Sequence, residues 1–113
     1  MGHRATDLGQ MIGDLLEKSY VSDSRSSVRE NCEAVIAALV KGYGAFDDEI
    51  AYSIVIHAGT HMINWCARHP RAGVRGKVDE LMQGAVAIIV KAWEEDREWF
   101  DRHILGCLFR RCV

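Results

Sequence analysis

A single proline, Pro70, stands in the 113 residues of this chain. Proline removes a backbone donor and breaks helix interiors, so its scarcity leaves long stretches free to run as uninterrupted helices. The spacing of apolar residues predicts that they do. Leu8, Met11, Ile12, Leu15 and Leu16 recur at i, i+3, i+4, i+7 and i+8, a stripe that predicts a helix from about residue 6 to 20. Ser27-Val28-Arg29-Glu30 has the form of a capping box. Val28, Cys32, Val35, Ile36, Leu39, Val40 and Tyr43 then hold one face, until Gly42 and Gly44 stop the helix.

A third helix is expected after Gly44, with Asp47, Asp48 and Glu49 complementing its N-terminus. It runs to Arg68 and halts before Pro70. Its side chains are mostly apolar, and Ser53, His57, Thr60, His61 and Asn64 form one polar stripe within an arc of about 100°. That pattern places it at the centre of the fold. From Lys77 onward Met82, Val86, Ile89, Trp93, Phe100, Ile104 and Cys107 share a helical register. A straight helix over that stretch would be about 50 Å long, more than a domain of this size spans. A bend near residues 94–98 is expected; otherwise the end projects onto another chain. The expected fold is therefore all-α: one domain over residues 1–113, a bundle of four to five helices with a central third helix and a long, bent C-terminal one.

Composition narrows the functional classes. Hydrophobic residues at 49% and charged residues at 27% fit a globular chain and not a disordered one. A net charge of −2 supplies no overall basic field for nucleic acid or anionic lipid. The longest nearly apolar run, residues 84–90, is too short for a bilayer, so no membrane association is expected. The first residues carry no apolar stretch of secretory type, so Cys32, Cys66, Cys107 and Cys112 read as reduced thiols of a cytoplasmic protein.

Catalytic and cofactor motifs are absent: there is no G-x-S-x-G, Walker A or G-x-G-x-x-G, and no cofactor is expected. His57 and His61 have the i, i+4 spacing that lets two imidazoles reach one metal, although Ala58 replaces the general-base Glu of the zinc proteases. His103 and Cys107 repeat the spacing, and two such pairs on facing helices could close a four-ligand site. A structural metal at His57/His61 is thus one alternative. Another comes from the run Arg97 to His103, which resembles the R-x(4–6)-H motif of the HEPN helical ribonucleases. That resemblance implies an all-helical ribonuclease or toxin using Arg97 and His103.

Arg68, Arg71, Arg75 and Lys77 concentrate positive charge, but acidic residues outnumber basic ones by 16 to 14 and the third helix is too apolar for a groove. Direct nucleic-acid binding is not expected. Binding to a protein is, because Trp99, Phe100, Ile104, Leu105, Cys107, Leu108 and Phe109 supply more apolar bulk than one helix face needs. The other use of that bulk is to fold back and complete the core. The residues expected to meet a partner are Glu94, Glu95, Asp96, Glu98, Asp101, Arg71, Arg75 and Phe109. The expected function is a small non-enzymatic regulator or inhibitor, with a homodimer also in view. Its size and plainness are similar to those of phage and mobile-element inhibitors of host nucleic-acid-targeting defence complexes, the anti-CRISPR proteins among them. The acidic stretch would engage the basic channel of such a complex.

Overall fold

The computed structural model describes residues 4–21, 28–43, 47–68 and 75–109. Among these, five α-helices follow one another, α1 (Arg4–Val21), α2 (Val28–Tyr43), α3 (Asp48–Arg68), α4 (Arg75–Trp93) and α5 (Arg97–Asp101), and a 3-10 helix spans Ile104–Leu108. The all-α expectation is met. Ser27 of the capping box, the stop at Gly44, Arg71 and Cys112 lie outside the described residues.

α3 is the central element, packed against α1 on one side and α4 on another, while α2 lies on α1. Its start is set by Asp47, whose carboxylate accepts the Ile50 amide at 2.8 Å and so satisfies one of the orphan donors of the first turn. Its buried residues, Ala51, Tyr52, Ile54, Val55, Ala58, Gly59, Met62 and Cys66, spread over an arc of about 160°, broad enough to meet neighbours on two sides. They meet Leu8, Ile12 and Leu16 of α1, Ile36 and Val40 of α2 and Leu81, Ala85 and Ile88 of α4 in one continuous core. Each large aliphatic side chain so buried contributes about 1.5–3 kcal/mol.

α1 and α3 approach closely because α1 carries glycine where they cross. A Cβ on Gly9 would stand 2.6 Å from His57 Cβ and 2.9 Å from the Ile54 carbonyl oxygen. One on Gly13 would stand 3.0 Å from the Ala58 carbonyl oxygen. Gly9, Gly13 and Glu17 recur every four residues and form one ridge along α1. The first two let the backbones touch, and the third carries a carboxylate into the same seam.

The C-terminal segment breaks where the bend was expected. α4 ends at Trp93, Glu95 takes a left-handed backbone (φ 55°), and Asp96 caps α5 by accepting the Trp99 amide at 3.2 Å. After α5 the chain turns again. His103 caps the 3-10 helix, its Nδ1 accepting the Leu105 amide at 3.1 Å. This path lays the tail on α3 and α2. Phe109 sits 4.7 Å from the Tyr52 ring and 5.1 Å from the Phe100 ring, centroid to centroid. Arg97 fastens the arrangement, donating to both oxygens of Asp48 at 3.0 and 3.1 Å and to the Phe109 carbonyl at 2.7 Å.

Two expectations are corrected here. Phe109 is 2% exposed and closes the core, so its side chain is not presented to a partner. The apolar bulk of the tail is consumed in the same way, with Phe100, Leu105 and Leu108 buried. The core register of α4 is also displaced from the stripe expected for it. Val78, Leu81, Ala85, Ile88 and Ala92 are buried, while Val86 and Trp93 are exposed. Alanines at 85 and 92 let α4 sit close to its neighbours, and Met82, Val86, Val90 and Trp93 fall on the adjoining face.

Candidate functional site

That adjoining face is the first candidate site. Met82, Val86, Ile89, Val90 and Trp93 lie within an arc of about 100° on α4. Val86 and Val90 are half-exposed, and Trp93 is 82% exposed. Ile89 is shared with the core, its side chain resting where a Cβ on Gly59 would be. The stripe runs straight into the acidic turn, where Glu94, Glu95, Glu98 and Asp101 are exposed. Part of this charge is spent internally. Asp96 is the α5 cap and lies 3.3 Å from Lys91 Nζ, Lys91 also reaches Glu94 at 3.5 Å, and Asp101 lies 3.8 Å from Arg97 Nε. Glu95 and Glu98 carry the exposed negative charge beside Trp93. Arg75 opens α4, about 27 Å along the axis from Trp93 and so at the opposite end of the helix from the acidic turn.

The second candidate is polar and lies in the α1–α3 seam. His61 of α3 meets two carboxylates of α1: its Nε2 is 2.6 Å from Asp14 Oδ1 and 3.5 Å from Glu17 Oε1. The three ligand-type atoms lie within 4.8 Å of one another. Asp14 is exposed, whereas Glu17 is 5% exposed and its Oε1 makes no hydrogen bond. An imidazole Nε2 has a single proton to share, so the bond to Asp14 leaves Glu17 unserved. Burial pushes the Glu17 carboxyl up to about 7; His61 opposes the rise, Asp14 adds to it, and Arg68 and Lys18 oppose it weakly.

A pH dependence follows. A carboxyl whose folded pKa lies above its unfolded value holds its proton more tightly in the native state. The native chain is therefore favoured at low pH, and that advantage fades as pH rises through the window from about 4.5 to 7. In metal-free protein, Glu17→Gln should match the wild type near pH 4.5 and exceed it at pH 8 by at most about 3 kcal/mol. Urea denaturation of both proteins at the two pH values reads this, and equal stability at pH 8 would contradict the burial of Glu17.

The residues singled out in the sequence are thus redistributed. His61 has a site, but with Asp14 and Glu17 as companions; His57 instead backs onto Gly9. His103 and Cys107 do not form a ligand group with them. The HEPN-like pair is held in structural roles. Arg97 binds Asp48 and the Phe109 carbonyl, while His103 caps a turn, stacks on Trp99 at 4.8 Å and is held below its ordinary pKa by burial. Cys32 and Cys66 are buried free thiols. No helix among the described residues is long and apolar enough to cross a membrane. Comparison of the chain with family models, curated proteins and solved structures returns no match.

Proposed function

We propose that this chain is a small non-enzymatic protein-binding regulator whose contact surface is the outer face of α4 together with the acidic turn after it. The observation that carries the reading is Trp93, a large aromatic left 82% exposed at the end of an apolar stripe. Exposed apolar stripes of this kind mark interaction surfaces, and tryptophan is prominent among residues that dominate binding energy. Glu95 and Glu98, exposed in the acidic turn that follows it, set the chemistry of the partner: an apolar pocket rimmed by Lys and Arg. Cytoplasmic proteins that hold nucleic acid carry such rims, which suits an inhibitor of a host nucleic-acid-targeting complex. Phe109, removed from the surface by its burial, has no part in this.

Affinity capture from a bacterial lysate, run in parallel with wild type, Trp93→Ala and the Glu95→Lys/Glu98→Lys double variant, tests the reading. A partner with a basic surface should be retained by the wild type and weakened about 30-fold or more by Trp93→Ala, a loss of about 2 kcal/mol. The charge reversal should slow association and remove its salt dependence. Binding that all three proteins share would place the contact elsewhere. Sedimentation showing a dimer that Trp93→Ala dissolves would assign the stripe to a second copy instead.

A further inference from the structure

We infer that Asp14, Glu17 and His61 form a binding site for one divalent transition-metal ion, with Zn²⁺ the best match to the donor set. The inference is independent of the docking surface, which lies on another helix.

The argument begins from the unserved oxygen. Glu17 Oε1 is buried, has no hydrogen-bond partner and points at the same imidazole nitrogen that Asp14 already engages. Leaving such an atom unpaired is unfavourable, and more so when it is charged. A proton shared by His61 can serve one carboxylate; a cation placed among the three atoms serves all of them. The spacing fits. Ligands about 2.1 Å from a tetrahedral zinc stand about 3.4 Å apart. His61 Nε2 and Glu17 Oε1 are 3.5 Å apart. The Asp14 oxygen, at 2.6 Å from His61 Nε2, has to withdraw by about 0.8 Å, and its side chain is exposed and free to do so. Two carboxylates neutralise the ion, and one imidazole biases the site toward zinc and its first-row neighbours over calcium or magnesium. Three protein ligands leave a fourth position for water at the exposed Asp14 edge.

The supporting framework is rigid. Asp14 and Glu17 stand at i, i+3 on α1, and Gly13 holds that turn against the α3 turn bearing His61, with His61 Cδ2 3.0 Å from where a Cβ on Gly13 would lie.

Calorimetric titration of the chelator-stripped chain with Zn²⁺, and absorption spectra with Co²⁺, test the site. One ion per chain with micromolar or tighter affinity is expected, with cobalt d–d bands and no thiolate charge-transfer band. Glu17→Gln and Asp14→Asn are near-isosteric, and each should weaken binding on the order of 100-fold while circular dichroism stays unchanged. No saturable uptake at 100-fold molar excess of Zn²⁺ would overturn the site. So would uptake that survives both substitutions, or a thiolate band, which would move the metal to the cysteines.

Discussion

Replacing Phe100 with alanine is expected to cost the fold about 3–5 kcal/mol, a large part of the 5–15 kcal/mol that holds a domain of this size together. The ring is fully buried. Trp99 lies edge-on at 5.0 Å, Phe109 at 5.1 Å and Tyr52 at 6.1 Å, so removing it opens a cavity against three aromatic neighbours drawn from α5, the tail and α3. The walls cannot collapse easily. Gly106 already lies against the Phe100 carbonyl, closer than any Cβ would allow, and Arg97 fixes both ends of the segment. Urea denaturation followed by circular dichroism should show the midpoint falling by roughly 2 M. Trp93→Ala on the exposed face should change stability by less than about 0.5 kcal/mol. The two aromatics thus separate core from contact surface in one experiment. A loss below about 1 kcal/mol for Phe100→Ala would mean that the tail does not close the core as described.

The contrast between Phe100 and Trp93 also shows which features were readable in the residues. Helix number, order and approximate ends were, because period, caps and breakers are local properties: Asp47 caps α3, and the chain turns at 94–96. Which apolar face of α4 goes inward was not. The register through Met82, Val86, Ile89 and Trp93 and the register through Val78, Leu81, Ala85, Ile88 and Ala92 are both apolar, so periodicity alone does not choose between them; only the second carries alanines, at 85 and 92. Close helix packing prefers the small ones, and that preference arises only once α3 is in place. Phe109 was misplaced for a related reason. Whether an aromatic tail meets its own core or a partner depends on a turn, and this one is made by Arg97 reaching Asp48, 49 residues away in sequence. The polar cluster was half legible. His61 stood out by its spacing with His57, but Glu17 looked like an ordinary charged residue of an amphipathic helix. Its signal was the ridge Gly9, Gly13, Glu17, which says that whatever stands at 17 enters the seam the glycines make.

That seam carries the second large effect. Gly9→Leu is expected to cost more than about 3 kcal/mol, at the upper end of what overpacking does. Intrinsic propensity pulls the other way, since leucine is favoured over glycine in a helix by up to about 1 kcal/mol, so a net loss can come only from the tertiary contact. The atoms a side chain at position 9 would meet are His57 Cβ at 2.6 Å, the Ile54 carbonyl oxygen at 2.9 Å and the Ala58 nitrogen at 3.2 Å. Backbone and Cβ atoms cannot step aside by changing rotamer, so α1 must move off α3. Gly42 supplies the control: it lies within α2, and a Cβ there meets nothing within 4 Å. Gly42→Ala should raise stability by a few tenths to about 1 kcal/mol. Thermal denaturation of the two variants should therefore move in opposite directions. If both glycine replacements were stabilising, α1 and α3 would not be in backbone contact. The convergence of Asp14 and Glu17 on His61 would then lose its support, since the same contact brings those three residues together.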